Sequence, residues 1–359
     1  MHMPPTFPPV PSCLARSAAS ACLAALAATP GLPPLLASPR RALGAMVSSL
    51  QQGAESADTI RIVRASVPKK QGDAWDVPAC ASAWPLRYGA EIPLLYLCRL
   101  ESLAALRGVL VDAGERGIVC NDAETQGSRW PKGVQPVLPA WLATQHICTP
   151  FDPASGEEVR AIVCSALATL YVDQQPGYYY LAMHDEDGLA MPPLSAGDAA
   201  AAALGMYRLP PTSPGPYQLR LCSAGRALAL VMEAARLLWE DWNISAEVWS
   251  CPSYTRLARE ALAVEQWNLF HPSATPRASH IQRCLDGSSA PVIAVTGYAQ
   301  HIAGQIGGFV RGRFSAVGAD TAMDISAPWI AVTALKALVD DGALPAPFVQ
   351  YALRRYALA

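Results

Sequence analysis

Charged side chains are scarce in this sequence. Only 16% of its 359 residues are Asp, Glu, Lys or Arg, whereas 52% are hydrophobic, and the formal net charge is −2. Such a small and balanced charge creates no field that attracts nucleic acid or an anionic membrane surface, so neither is expected as a partner. The apolar composition also predicts that the folded chain buries much of its surface, in its own core or against another subunit.

Paired cysteines and long apolar runs are missing as well. A Cys-x-x-Cys pair is typical of zinc sites and redox couples, and the ten cysteines never form one. They are therefore expected to be small core residues in a reducing compartment, the cytoplasm. No run of about 18 apolar residues is free of proline and charge, which predicts no membrane span. The absence of a Walker loop, a Gly-x-Ser-x-Gly elbow and a His-Glu-x-x-His motif leaves nucleotide-binding, hydrolase and metalloprotease functions without support.

Acidic residues are missing from the first 54 positions, which are rich in Ala, Ser, Pro and Leu. The only basic residues in this stretch are Arg16, Arg40 and Arg41. A transit peptide has such a composition, and a low-complexity leader without fixed structure has it too. We favour the second interpretation, so residues 1–57 are predicted to be a disordered leader.

Beyond residue 58, apolar runs of strand length alternate with helical patterns. Strands separated by helices imply right-handed crossovers and a mostly parallel sheet that is covered on both faces. The pattern therefore predicts an α/β fold of two three-layer α/β/α domains with mostly parallel sheets. The predicted strands are 59–63, 92–97, 108–112, 178–183, 218–222, 247–251, 292–296 and 314–317. The predicted helices are 100–107, 157–170, 228–242, 254–263, one that begins at 299, and 327–341.

Three segments beyond residue 177 carry a family resemblance. Residues 265–272 read Glu-Gln-Trp-Asn-Leu-Phe-His-Pro and are followed by Thr-Pro-Arg at 275–277. Residues 178–180 are three tyrosines, with Glu186 and Met-Pro downstream, and residues 205–209 read Gly-Met-Tyr-Arg-Leu. Taken in the order of the chain, the segments resemble the homodimeric bacterial pyruvate dehydrogenase first component, a member of the transketolase-like superfamily. The resemblance extends over about residues 90–345.

The resemblance implies a domain organisation and an activity. Residues 58–195 would be a shortened pyrimidine-binding domain, 205–345 a transketolase-like C-terminal domain, and 346–359 a C-terminal tail. The implied activity is oxidative decarboxylation of pyruvate with acetyl transfer to lipoyl, and the implied cofactors are thiamine diphosphate and magnesium. The diphosphate-binding domain has no counterpart, so the expected partners are a second copy, or a chain that supplies this domain, together with a dihydrolipoyl acyltransferase.

Most residues that this chemistry needs have no equivalent here. The family holds its metal with a Gly-Asp-Gly…Asn element, and the nearest strings, at 72–74 and 197–199, are better explained as a turn and a linker, so no metal site is predicted. The glutamate that activates the cofactor would lie near residues 70–73, which contain no glutamate. The flanking glutamates are Glu55 and Glu91, and neither has the expected local sequence. The histidine-rich loop corresponds to residues 123–134, which contain no histidine and only Glu124 as an acid.

Three weak catalytic candidates remain, and the cofactor-binding residues stay unknown. They are Glu124, Glu265 and His271; the last two could line a subunit junction near a substrate channel, or belong to a capped loop that packs Trp267 on the sheet. Ser223 to Gly225 could hold an anion at a helix start, although a simple turn is favoured. The sequence thus predicts a first-component-like protein that is inactive alone, or alternatively a non-catalytic scaffold or regulatory subunit that retains the family's dimer surface.

Overall fold

A computed structural model of the chain describes most of its residues, and the description below is confined to them. The described residues are 12–28, 38–52, 59–64, 89, 91–100, 102–111, 116–122, 137–185, 191, 193–320 and 324–358. Within these ranges two five-stranded sheets are formed, one in each half of the chain. None of the described helices is long and apolar enough to cross a membrane.

The first sheet is parallel in every pair. Its strands are β1 (Arg61–Arg64), β2 (Leu94–Cys98), β3 (Arg116–Asn121), β4 (Cys148–Phe151) and β5 (Gly177–Ala182), in the order β1-β2-β3-β5-β4. Its helices are α1 (Ser12–Ala28), α2 (Pro39–Gln52), α3 (Leu103–Val111), α4 (Val137–Thr144) and α5 (Gly156–Leu167), and α5 continues into a π-helical turn, Ala168–Val172. Ser155 caps α5, because its side chain accepts a hydrogen bond from the Glu158 amide.

The second sheet is parallel except for one edge pair, β6 with β8. Its strands are β6 (Tyr207–Arg208), β7 (Leu219–Ser223), β8 (Ala246–Ser250), β9 (Val292–Val295) and β10 (Phe314–Val317), in the order β10-β9-β7-β8-β6. The helices of this half are α6 (Ala196–Leu204), α7 (Ala227–Trp242), α8 (Tyr254–Phe270), α9 (His280–Leu285), α10 (Gln300–Gly304), α11 (Ala327–Asp340) and α12 (Pro347–Arg355). The predicted fold class, α/β with mostly parallel sheets, is confirmed.

Alternate residues of each strand enter different cores, as expected for sheets covered on both faces. Tyr96 and Tyr180 of the first sheet share a central core with Cys222 and Trp249 of the second. The other face of the first sheet packs on α1, α2 and α5, and the other face of the second packs on α7 and α11. The two halves are therefore joined through a common apolar core.

One predicted strand is wrong. Residues 108–111 belong to α3, and the strand that follows is β3 at Arg116–Asn121, which the sequence pattern did not predict. The short strand β4 was also missed. The segment Leu103–Val111 is almost uniformly apolar, and periodicity cannot separate a buried strand from a buried helix in such a run.

The prediction of a disordered leader is corrected for residues 12–28 and 39–52, which form α1 and α2. Both helices bury apolar side chains against the first sheet and α5, among them Leu26, Leu43 and Leu50. Alanine and leucine favour helices, and the packed face provides the stabilisation that propensity alone does not. Most of the predicted tail forms α12, which contacts α11. The remaining domain boundaries stay predictions.

Candidate functional site

The carboxyl ends of parallel strands form the edge at which α/β folds bind ligands, and in the first sheet this edge is rich in charge. Arg99 directly follows β2, Asp122 directly follows β3, and Asp185 lies shortly after β5. Arg99 Nη2 donates to Asp122 Oδ2 at 2.8 Å, and the Asp122 side chain is completely buried. Together with Arg40 of α2, these residues are called the Asp122 cluster below.

The first turn of α2 covers this edge. Ser38 Oγ, just before the helix, donates to Asp185 Oδ1 at 2.9 Å. Arg40 Nε lies 3.6 Å from Asp122 Oδ2, and Arg40 Nη1 lies 3.5 Å from Asp185 Oδ2. The backbone amide of Arg40 donates to the carbonyl oxygen of His184 at 3.0 Å. The edge is therefore closed by ion pairs and hydrogen bonds within the same chain.

Asn121, the last residue of β3, is also used internally. Its Oδ1 accepts from the Leu100 amide at 2.7 Å, and its Nδ2 donates to the Leu100 carbonyl at 2.9 Å and to the Tyr180 hydroxyl at 2.8 Å. The side chain thereby fixes the loop that follows β2. This buried amide is engaged in holding the edge together and is not presented to a ligand.

The buried position of Asp122 changes its proton affinity. Burial raises the pKa of Asp122 from 3.8 to about 6, although hydrogen bonding by Arg99 and the charge of Arg40 act in the opposite direction. Repulsion by Asp185 adds to the rise. Because the pKa is higher in the folded than in the unfolded chain, folding favours the protonated form. The resulting stabilisation is complete below about pH 4 and is lost as the pH rises to about 6.

We therefore expect Asp122→Asn to remove a specific pH dependence. Relative to this variant, the wild-type free energy of unfolding should fall by about 2 kcal/mol between pH 4 and 6, because each pKa unit corresponds to about 1.4 kcal/mol and part of the change lies outside this pH range. Urea unfolding at pH 4, 5, 6 and 7 measures the difference. Asp324→Asn, at an exposed aspartate, is the control and should show no such change. Parallel curves for wild type and Asp122→Asn would contradict the assigned role of burial.

A second buried carboxylate joins the two halves of the chain. Glu158 of α5 is completely buried. Its Oε1 accepts from the hydroxyls of Tyr207 at 2.8 Å and Ser250 at 2.6 Å, and its Oε2 accepts from the Ala154 amide at 2.7 Å. Burial raises the pKa of Glu158, and the three hydrogen bonds oppose the rise. All three donors are satisfied within the protein, so this carboxylate holds β6 and β8 onto α5.

The carboxylate of Asp152, a residue of the first half of the chain, packs against the turn Ser223 to Gly225. Gly225 has a φ of +52°, and its amide donates to the Asp152 carbonyl at 2.9 Å. A Cβ at this position would lie 2.1 Å from Asp152 Oδ1, so only glycine fits. The carboxylate of Asp152 thus packs against the start of α7, which supports a structural turn over an anion site.

A cavity of about 40 Å³ adjoins this turn between the two sheets, and it is lined by Asp152, Tyr180, Thr296 and Tyr298 among others. Pockets for organic ligands usually enclose about 300–1,000 Å³. A volume of this size accommodates a water molecule or two. The cavity is therefore too small for a substrate or an organic cofactor.

Glu265 lies in the last turns of α8, and His271 directly follows the helix. The helix ends at Phe270 and not at 263 as predicted. Both side chains are exposed. His271 Nδ1 lies 2.7 Å from the Trp267 carbonyl oxygen, and the two rings stack with centroids 4.3 Å apart. Trp267 thus packs on His271 at the helix end and not in the buried core. The predicted role of Glu265 and His271 at a subunit junction stays a prediction.

Several other predicted positions lie outside the described residues, namely Glu55, Glu124, and ranges 70–73 and 123–134. Glu91 is described, and it forms an ion pair of 3.7 Å with Arg61 at the surface. The described histidines of the core face carbonyl groups, as with His280 Nε2 at 2.8 Å from Met206 O.

Sequence reasoning missed the Asp122 cluster and Glu158. Asp122 follows a strand that the pattern did not predict, and its position at a strand end was therefore not recognised. Glu158 lies three residues after Ser155, which is the spacing of a capping box and predicts a helix start. The helix was predicted, at 157–170, but the capping spacing gives no indication that the carboxylate is buried at a junction.

Part of the chain is similar to known proteins. Residues 205–321 match the transketolase-like C-terminal domain. The chain is 34% identical over 225 residues to the pyruvate dehydrogenase E1 component of Cupriavidus necator, which covers 59% of this chain and 25% of that protein. Over this region the chain is similar to pyruvate dehydrogenase E1 components. It spans about a quarter of the length of the curated relatives it matches.

Solved structures share the fold of this chain at low sequence identity. A transketolase from Leishmania mexicana aligns with a TM-score of 0.59 and 15% identity, over 92% of this chain and 50% of that one. A structure titled "Split gene transketolase, inactive beta4 tetramer" aligns with a TM-score of 0.52 and 15% identity, over 84% of this chain and 98% of that one. These likenesses establish a transketolase-like fold.

Thiamine diphosphate and its metal, the cofactors implied by the resemblance, do not fit the described part of the chain. The carboxyl edge of the first sheet is closed by α2, and the cavity between the sheets is about 40 Å³. Among the described residues no group of three or more His, Cys, Asp or Glu side chains is placed to hold a metal ion. We therefore derive no reaction step through this cofactor.

Proposed function

We propose that this chain is an E1-like subunit that does not decarboxylate pyruvate on its own. The observation that carries the proposal is the closed carboxyl edge of the first sheet, where Arg40 and Arg99 neutralise the buried Asp122. A ligand at this edge would have to displace α2 and separate Asp122 from Arg40. Separating a buried carboxylate from its partners costs several kcal/mol, roughly 3–5.

The fold likeness to the split-gene transketolase, an inactive beta4 tetramer, supports a subunit that works with a second polypeptide. By analogy, a separate chain would supply the diphosphate-binding domain, the thiamine diphosphate and the magnesium site, and a dihydrolipoyl acyltransferase would accept the acetyl group. The nine described cysteines are all free, which supports a reducing location such as the cytoplasm.

The alternative is a non-catalytic scaffold or regulatory subunit that keeps the family's dimer surface. The internal use of Asn121 favours this alternative, because its hydrogen bonds to Leu100 and Tyr180 would have to break before the edge could serve a ligand. The two proposals differ in whether an added partner chain restores pyruvate decarboxylation.

Calorimetric titration of the purified chain with thiamine diphosphate and Mg²⁺ tests the proposal. We expect no saturable heat up to millimolar cofactor, and binding in the micromolar range by the isolated chain would overturn the proposal. The titration is then repeated with an added E1 fragment that carries the diphosphate-binding domain. Pyruvate decarboxylation by the mixture, above the level of the fragment alone, identifies a complementing subunit, whereas unchanged activity identifies a scaffold.

A further inference from the structure

An open groove of about 540 Å³ lies between α5 and α6. It is called the α5–α6 groove below. Pockets that bind organic ligands usually enclose about 300–1,000 Å³, and this groove falls within that range, unlike the small cavity between the two sheets. The groove therefore has the size of a binding site for a small organic molecule.

The wall that α6 contributes is apolar and recessed. Ala199, Ala200 and Ala203 line the groove together with Leu204, and their spacing of three and four positions places them along one side of the helix. The methyl side chains of the alanines leave space above them, and Leu204 at the end of the row is 38% exposed. Apolar atoms placed in this space would be removed from water, which is favourable. This wall therefore suits an aliphatic or aromatic group.

The wall that α5 contributes carries one charge of each sign. Glu157 and Arg160 both line the groove, and residues three positions apart on a helix are neighbours, with Cβ atoms about 5–6 Å apart. Arg160 Nη2 donates to the Leu26 carbonyl at the end of α1, which fixes the guanidinium beside the groove and leaves its positive charge in place. Within the described part of the chain, no side chain or amide pairs with the Glu157 carboxylate. The groove thus offers a fixed cation and an unpaired anion side by side.

This arrangement selects among the possible ligands. A ligand with a single charge would be attracted by one of the two side chains and repelled by the other. A ligand that carries an ammonium and a carboxylate group on the same carbon atom can pair with both, because the two side chains are neighbours. The apolar wall of α6 requires that the remainder of the ligand is apolar. An α-amino acid with a large apolar side chain combines these features.

We propose that the α5–α6 groove binds a free α-amino acid with a large apolar side chain, such as leucine, methionine or phenylalanine. The ligand carboxylate pairs with Arg160, its ammonium group pairs with Glu157, and its side chain lies against Ala203 and Leu204. All residues of the groove belong to this chain, so binding does not depend on the proposed complementation by a partner chain.

Binding at this position has a structural consequence. The ligand contacts α5 of the first half of the chain and α6 of the second half. These helices are already linked close to the groove, because Glu158 accepts from the hydroxyl of Tyr207, which lies shortly after α6. A ligand that bridges the two helices stabilises their contact and thereby the folded state. We therefore expect hydrogen exchange in α6 to slow when the ligand is bound.

Thermal unfolding of the purified chain tests the ligand class. Leucine, methionine and phenylalanine should each raise the Tm in a saturable manner. N-acetyl-L-leucine lacks the ammonium charge, L-leucinamide lacks the carboxylate, and L-alanine keeps both charges but lacks the large side chain. Each of these three compounds should bind at least about tenfold more weakly than leucine, which corresponds to the loss of about 1.4 kcal/mol. Equal Tm shifts with leucine and all three analogues would contradict the proposal.

Two variants locate the site. Glu157→Gln removes the negative charge with little change in shape and should weaken leucine binding at least about tenfold. Ala200→Trp, at an exposed position of α6, fills the groove and should abolish binding. Glu233→Gln and Gln350→Trp make the same changes at exposed helix positions outside the groove and are the matched controls. Both controls should bind leucine as the wild type does.

The thiol of Cys164, half-buried in the groove, supplies a readout that does not depend on stability. Saturating leucine should slow alkylation of Cys164 by iodoacetamide severalfold, as followed by peptide mass spectrometry. Cys284, which is half-buried elsewhere, is the internal control and should react at an unchanged rate. Absence of a saturable Tm shift with all three amino acids, binding that survives both Glu157→Gln and Ala200→Trp, or unprotected Cys164 would each overturn the proposal.

Discussion

Replacing Glu158 with alanine is expected to lower the free energy of unfolding by about 4 kcal/mol. The substitution removes the acceptor of three buried donors, the hydroxyls of Tyr207 and Ser250 and the amide of Ala154. Each donor that loses its partner in the interior costs about 1–3 kcal/mol, and the vacated volume adds to the loss. Because Tyr207 and Ser250 lie in the second sheet, the loss should also weaken the junction of the two halves.

Two further variants separate the roles of charge and hydrogen bonding at this position. Glu158→Gln keeps one acceptor oxygen for the two hydroxyls but directs an amide donor at the Ala154 amide, so it should lose about half as much stability. Glu157→Ala changes the preceding, partly exposed residue of the same helix and should cost less than about 1 kcal/mol. Urea unfolding at pH 7 measures all three variants. Equal losses for Glu157→Ala and Glu158→Ala would refute the role assigned to the buried network.

The centre of the second half was predictable because α7 is amphipathic and the strands beside it are bounded by clear turns. The sequence placed β7, α7 and β8 within one residue of their observed ends, since the apolar stripe of α7 has helical spacing over its whole length. In the first half, the nine residues of α3 are mostly apolar and include Gly108, and the run was divided into a helix and a strand. Periodicity over so few residues does not separate a helix from a strand.

The closed edge could not be predicted from the sequence for a different reason. Arg40 and Asp122 are 82 positions apart, and their contact depends on where α2 docks on the sheet. The alanine-rich composition of residues 12–28 predicted disorder, because composition does not record the partner surface that α5 provides. The family motifs located Glu265 and His271 in the sequence, whereas only the structure shows that both lie on an exposed helix end.

Loss of the Arg259 side chain is the other substitution with a large expected effect. Arg259 of α8 donates through Nη1 to the Cys148 carbonyl at 2.7 Å. Its Nη2 donates to the carbonyls of Leu142, Ala143 and Gln145 at 3.2, 3.0 and 2.8 Å. These acceptors include the last carbonyls of α4, which have no partner inside their own helix. One guanidinium therefore donates to carbonyl groups at the end of α4 and at the start of β4, and it links both elements to the second half of the chain.

We expect Arg259→Ala to lower the free energy of unfolding by about 3 kcal/mol, because four carbonyls lose a charged donor and the C-terminus of α4 loses a favourable positive charge. Arg259→Lys should recover about half of the loss, since an ammonium group keeps the charge but cannot reach four acceptors in the planar geometry of a guanidinium. Urea unfolding gives the magnitudes, and hydrogen exchange of residues 138–144 should accelerate in Arg259→Ala before exchange in α7 does.

Arg236→Ala is the control, because this exposed arginine contacts only Glu233 and Glu240 of its own helix, and it should leave both measurements nearly unchanged. If exchange in α4 is unaffected by Arg259→Ala, the guanidinium does not hold the helix end, and the assignment must be abandoned.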